Sequence, residues 1–285
     1  MLILLTSIFA GLFIGITESI NKKITEEKYS VFAYSFLQVF FNMIIFGFFC
    51  VSNFVFPPIS AAYIYVIILS VFIVLGNVFL IKAYKTEDLS IISIISRLSL
   101  VVAFIMGVIL LGESATYLKL FGVLFILLGS VVLFYKKKHL VLNKGMLFTV
   151  LSAIFFGSTA YFQKKMFETF SIFQGLFLIQ LLMTVFLFSI DSARRDYKAI
   201  LKKYYKSIIV SRLFAVIGIF LISWSVKNGP ISIVNTNYET VYLIYSVVAG
   251  MIIFKERRNT KRVSIGLILC LLGIIFLNLF TASLR

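Results

Sequence analysis

Two ionisable side chains stand inside apolar runs: Arg97 in "SIISIISRLSLVV" and Glu239 in "IVNTNYETVYLI". A guanidinium offers a fork of donors to a carboxylate or phosphate. A carboxylate accepts from an ammonium group or takes up a proton. Charges at membrane depth are costly and mark substrate or ion paths. Together the two suit a zwitterion such as an amino acid; they suit each other equally well as a structural ion pair. Helical spacing puts Ser90, Ser93 and Ser96 on the face of Arg97, and Asn235, Tyr238 and Tyr242 on the face of Glu239. Such stripes either line a watery cavity or hydrogen-bond helix to helix.

Asn77, Trp224 and Tyr161 are further substrate-binding candidates, with Trp224 also readable as an interfacial anchor. Gln38, Asn42, Gln174 and Gln180 are expected at a cavity rim. Glu18 precedes Lys22 at the spacing of a local ion pair, or serves as a gate or proton site. Glu239 and Glu18 are thus the candidates for coupling to protons. Glu113 and Glu256 are read as caps of the helices that follow them.

Other chemistry is poorly represented. His139 is the single histidine, Cys50 and Cys270 lie in apolar runs without CxxC spacing, and neither G-x-S-x-G nor HExxH occurs. No catalytic residue, metal or cofactor is expected. The alternative function is an intramembrane enzyme acting on lipid-linked substrates; a channel is a third reading.

The elements that must position these residues follow from composition. Hydrophobic residues make up 61% of the 285 and charged ones 13%, with a mean hydropathy of +1.07. The expected class is an all-α integral membrane protein, since a span needs about 20 apolar residues. Ten runs qualify: 2–20, 31–51, 61–82, 89–111, 117–135, 145–163, 172–190, 207–226, 231–254 and 263–281. The first lacks a basic leader and is read as a retained span. Asp88 is expected to cap the fourth run, and Pro230 suits the first turn of the ninth. The one long connection, 191–206, spaces Tyr197, Ile200, Leu201, Tyr204 and Tyr205 as an interfacial amphipathic helix would; a solvated basic loop is the other reading.

The chain repeats itself. Gly15, Asn21 and Lys22 recur as Gly157, Gln163 and Lys164, each 142 residues on, and Gly76 recurs as Gly218. With one-residue slips, Gly107 matches Gly250, Glu113 matches Glu256, and Gly122 and Gly129 match Gly266 and Gly273. Residues 1–141 form one five-span repeat and 142–285 the second, within one membrane domain. Five is odd, so the second copy crosses in the opposite sense, the inverted repeat of many transporters. Arg97 and Glu239 are equivalent positions of the two copies. The paired glycines of the fifth and tenth spans serve either close packing within the fold or a homodimer.

Net charge is +16. Lysine and arginine crowd the ends of apolar runs, 20 in odd-numbered connections against 5 on the other side. This is the pattern of membrane topology rather than of nucleic-acid binding, and it places odd-numbered loops in the cytoplasm and both termini outside. The expected partners are a small-molecule substrate and membrane lipids.

Gly15 to Lys22 and Gly157 to Lys164, with "LLGESATYLKLFG" from Leu110 and "FKERRNTKRVSIG" from Phe254, resemble the ten-helix EamA-like group of the drug/metabolite transporters. The resemblance covers essentially the whole chain. Ile14 and Phe156 stand where that family often has Trp, and Lys255 replaces the Gly before Glu256. The resemblance implies alternating access around a midplane cavity, and export. It also implies both termini inside, against the charge bias.

Overall fold

The structure is a computed structural model. It describes residues 1–25, 30–51, 57–58, 60–84, 92, 95–134, 143–253 and 260–282. Ten helices run through these residues: α1 Leu2–Thr25, α2 Val31–Cys50, α3 Ala61–Tyr84, α4 Leu98–Leu111, α5 Tyr117–Phe134, α6 Lys144–Phe167, α7 Ile172–Phe188, α8 Asp191–Asn228, α9 Ile231–Ile252 and α10 Thr260–Ala282. Six are long and apolar enough to span a bilayer, and α4, α5 and α7 are shorter apolar helices. α9 has the length but carries Asn235, Asn237, Tyr238 and Glu239. The fold is that of an all-α integral membrane protein built from two inverted five-helix repeats.

The halves do not sit side by side as separate bundles. The principal helix contacts are α5 with α10, α3 with α6, α1 with α8, α2 with α7, α1 with α9, α2 with α8, and α4 with α6. Each joins a helix of one half to a helix of the other. Exchanging the halves maps α1–α8 onto α6–α3 and α1–α9 onto α6–α4, while α2–α7, α5–α10 and α4–α9 map onto themselves. The contact pattern therefore has the pseudo-two-fold form that the repeat implies.

Close packing, not burial from water, must hold such helices together, because lipid tails are as apolar as leucine. The repeat glycines supply it. A methyl group at Gly129 would lie 2.8 Å from the Gly266 carbonyl oxygen, and one at Gly273 would lie 2.7 Å from that of Gly122. The fifth- and tenth-span glycines are thus used within the fold, backbone against backbone. Gly157 does the same for the α6–α4 crossing, where an added methyl would meet the Ser99 carbonyl oxygen at 2.5 Å.

The connection 191–206 is helical. It continues into the eighth span as α8, with one non-helical residue, Tyr204 (φ −119°, ψ 16°), at the joint. Tyr197, Leu201 and Tyr204 pack against the main apolar cluster, which contains Ile200 and Ile208. Asp196 accepts from the Ser30 backbone N–H at 2.8 Å and ties this arm to the start of α2. All of that face but the exposed Tyr205 turns to protein, which is why its apolar spacing is regular.

Gly129→Val should lower the stability of the detergent-solubilised chain by about 1–3 kcal/mol, the usual cost of overpacking. Gly273→Val should do the same. Thermal unfolding against wild type reads this; unchanged melting of both variants would show that α5 and α10 do not meet at these glycines.

Candidate functional site

The fourth run is not one continuous helix in its described part. Ser96 N–H donates to the Ile92 carbonyl at 2.8 Å, but at Ser96 and Arg97 the ladder changes to three-residue bonds, Ser99 N–H to Ser96 O (3.1 Å) and Leu100 N–H to Arg97 O (3.0 Å). Arg97 therefore stands at the boundary where α4 begins (φ −66°, ψ −12°), not two turns inside a regular span. Ser90, Ser93 and Asp88 lie outside the described residues.

On the facing helix the cap is supplied from the other half. Glu113 accepts from the backbone N–H groups of Ile231 (2.5 Å) and Ser232 (3.0 Å), and from the Ser232 hydroxyl (2.5 Å). Glu113 thus caps α9, correcting the expectation that it caps α5. The reason is the turn: Gly112 ends α4 in the left-handed conformation (φ 67°) and redirects the chain across the repeat boundary. Gly107 leaves room for the carboxylate, since a methyl there would lie 2.8 Å from Glu113 Oε2. Glu256 lies outside the described residues. Pro230 takes the cap position before Ile231 rather than the first turn.

So positioned, Arg97 and Glu239 meet. An Arg97 terminal guanidinium nitrogen donates to Glu239 Oε2 at 2.9 Å and approaches the Glu239 carbonyl oxygen at 3.4 Å. Their side chains are 10% and 24% exposed. They line a cavity of about 260 Å³ formed by α3, α4, α6, α8 and α9. Ser96, Asn235 and Tyr238 line it too, as their spacing predicted. Ser99, Ser152, Thr159 and Gln163 complete its polar wall; sequence reasoning missed these four. Gln163 donates to Ser223 at 2.9 Å and Ser152 to the Gly76 carbonyl at 2.9 Å.

Four other candidates are not brought to this wall. Tyr161 packs on the apolar cluster of Ala160, Val226, Ile231 and Val234, because it sits on the α6 face turned away from Gln163. Trp224 is half-buried, with its carbonyl accepting from Asn228 at 2.8 Å. Tyr242, one turn beyond Glu239, does not line the cavity; its backbone carbonyl accepts from Ser246 at 2.8 Å. Asn77 lines a second cavity.

That second cavity, of about 200 Å³, lies among α1, α2, α3, α7 and α8. It takes in Gln38, Asn42 and Gln180, and with them Glu18 and Arg212. Arg212 is 4% exposed and escaped notice in the sequence. Its signal was the same as that of Arg97, a cation inside a span, hidden by the basic stretch just before it. It donates to Asn21 Oδ1 (3.1 Å) and Ser211 Oγ (2.8 Å), and Asn21 Oδ1 also accepts from Tyr34 (2.5 Å) and Ser211 (2.7 Å). Glu18 accepts from Asn21 Nδ2 at 3.4 Å; the Lys22 side chain lies outside the described ones. Gln174 belongs to neither cavity. It forms a capping box with Ser171 at the start of α7, a local use of an amide that the rim expectation overlooked. Among the described residues no three His, Cys, Asp or Glu side chains cluster as metal ligands do.

A family model described as "EamA-like transporter family" matches this chain twice, over residues 1–135 and 143–279. The chain belongs to the EamA-like transporter family. It is accordingly a membrane transporter, and each half carries one copy of the family unit. No curated protein matches the sequence. Twenty-eight chains of solved structures match it. One of them, a crystal structure of a protein, is similar with a TM-score of 0.75 at 14% identity, over 98% of each chain. At that identity the likeness shows the fold alone.

Arg97→Gln and Glu239→Gln should each destabilise this EamA-like chain by about 3 kcal/mol, because each leaves a largely buried charge without its partner. The double variant should recover much of that loss. A double-mutant cycle by thermal unfolding measures the coupling, and strictly additive losses would show that the two charges do not pair.

Proposed function

We propose that this chain is a secondary transporter, an exporter, of small polar or zwitterionic metabolites such as amino acids, working by alternating access around the cavity between its two halves. The observation that carries the reading is the Arg97–Glu239 contact of 2.9 Å on the wall of that cavity. A zwitterion presents each charge with its opposite: its carboxylate takes the guanidinium from Glu239, and its ammonium takes the carboxylate from Arg97. Binding therefore exchanges one ion pair for two and leaves no net charge stranded in low dielectric. Release lets the residues pair again. Because the pair joins α4 of one half to α9 of the other, opening it loosens the contact across which the halves would rock. A ligand shifts such an equilibrium only through different affinities for its two states, and the opened pair is one source of that difference. Protonation of Glu239 would free Arg97 in the same way, which makes Glu239 the candidate for proton coupling.

The reading is supported by two equivalent contacts that carry the pseudo-dyad into the walls of both cavities. Phe156 seats over Gly76, 3.0 Å from where a methyl would be, and Ile14 seats over Gly218 at 2.9 Å. Phe156 lines the first cavity and Ile14 the second. Odd-numbered loops in the cytoplasm and termini outside agree with the fastened lysines of the opposite side. Lys164 donates to the Gly229 carbonyl at 2.6 Å and Lys119 to that of Ser114 at 2.8 Å. These cations serve the fold rather than mark the cytoplasmic face.

In proteoliposomes, wild type should exchange labelled amino acid for unlabelled, while Arg97→Ala and Glu239→Gln should lose at least about tenfold in rate, roughly 1.4 kcal/mol. Exchange that ignores both substitutions would remove the site assignment. A periplasmic reporter fused after Arg285 should be active, and activity confined to a cytoplasmic reporter would reverse the topology.

A further inference from the structure

Four buried side-chain polar atoms lack a hydrogen-bond partner among the described residues: Asn42 Oδ1, Gln180 Oε1, Arg212 Nε and Arg97 Nε. Three of them belong to residues that line the second cavity. Asn42, Gln180 and Arg212 are 4%, 7% and 4% exposed. Most other polar groups in the spans answer themselves, as when Thr184 donates to the Gln180 carbonyl at 2.7 Å or Ser70 to that of Val66 at 2.8 Å. Leaving a buried acceptor unserved costs about 1–3 kcal/mol. A cluster of them around one cavity points to a guest.

The charges there are arranged differently from those of the first cavity. Glu18 and Arg212 both line the second cavity, yet among the described residues no ion pair within 4.0 Å joins them. Arg97 and Glu239 neutralise each other directly; Glu18 and Arg212 are held apart, the latter anchored by Asn21 and Ser211. Acceptors lie on α1, α2 and α7 as the Glu18 carboxylate and the Asn42 and Gln180 amide oxygens, and an unused donor lies on α8 as Arg212 Nε.

We propose that this second cavity binds the same class of small zwitterion, as a second station beside the Arg97–Glu239 site. The ligand ammonium group takes the Glu18 carboxylate and the Asn42 and Gln180 oxygens, which a half-turn of each terminal amide brings to the cavity, and its carboxylate takes Arg212. A lone cation or anion would leave one of the two wall charges uncompensated, whereas a zwitterion leaves none. The volume of about 200 Å³ falls below the roughly 300–1,000 Å³ of drug-sized sites, so the guest has few heavy atoms. The two stations are neighbours along the same helices. Leu80 and Ile222 line the first, and Ile81 and Ile219 line the second.

The proposal rests on the zwitterion reading above, and calorimetric titration separates the two. The full-length chain in detergent is titrated with the common L-amino acids, and with ethylamine and propionate as the separate halves of alanine. For an amino acid that binds, wild type should take up two equivalents, and the Arg97→Gln/Glu239→Gln double variant should keep one. Asn42→Leu in that background should weaken the remaining binding at least tenfold. Ligand-free Asn42→Leu should melt no lower than its parent, since it removes an unserved acceptor and no bond; Arg212→Gln is the second check on binding. Ethylamine and propionate should bind far more weakly than alanine. One equivalent in wild type, lost with Arg97 and Glu239 but indifferent to Asn42→Leu and Arg212→Gln, would leave water as the occupant and overturn the second station alone. No uptake of any amino acid by wild type would overturn the zwitterion reading and this site together.

Discussion

Hydrocarbon offers a polar group no alternative partner, so whatever the chain does not satisfy internally stays unsatisfied. The rest of the structure follows from this constraint. It makes every element a helix and sends serine and threonine hydroxyls back to carbonyls one turn earlier, as Thr149 and Thr236 do. It also requires helix ends to find caps. Glu113 meets that need for α9 from the opposite half, so closing a helix terminus and joining the repeats are one interaction. Where the constraint is not met, at Arg97, Asn42, Gln180 and Arg212, the exceptions gather on cavity walls.

Symmetry and its breaking divide the work. Self-equivalent contacts, α2 with α7, α5 with α10 and α4 with α9, lie on the pseudo-dyad. Between α5 and α10 the glycines meet crosswise, Gly129 with Gly266 and Gly273 with Gly122, two contacts that the repeat exchanges. Arg97 and Glu239 are equivalent residues that meet as opposites, which lets one repeated position carry both halves of a charge pair. Off the axis the copies have diverged freely. Glu18 corresponds to Ala160, and Arg212 to Ser70, so the two cavities have related walls and different charges. An inverted duplication makes both cavities available, and substitution then makes them unequal.

The glycines show how one residue type serves separate ends. Gly157 and Gly129 allow backbones to touch, whereas Gly112 has open space around its α-carbon and is needed for its positive φ. Gly112 aims Glu113, and Glu113 fixes the start of the helix that carries Glu239 two turns later. The local motif Gly-Glu is thus connected to the site through a cap rather than through contact with it.

Composition and periodicity alone determined the membrane class, the ten spans, the duplication and the equivalence of Arg97 with Glu239, because hydropathy and repeat offset are properties of a chain read in one dimension. Ser96, Asn235 and Tyr238 were legible for the same reason: they share a helical face with a charge that has no business in lipid. Tertiary structure decided the rest. It sent Tyr161, Trp224, Tyr242 and Asn77 away from the first cavity, turned Glu113 toward α9, and set Arg212 beside Asn21. Each of those outcomes depends on which helix faces which, and in an interlocked fold the neighbours come from the other half of the chain, where spacing along the sequence carries no information.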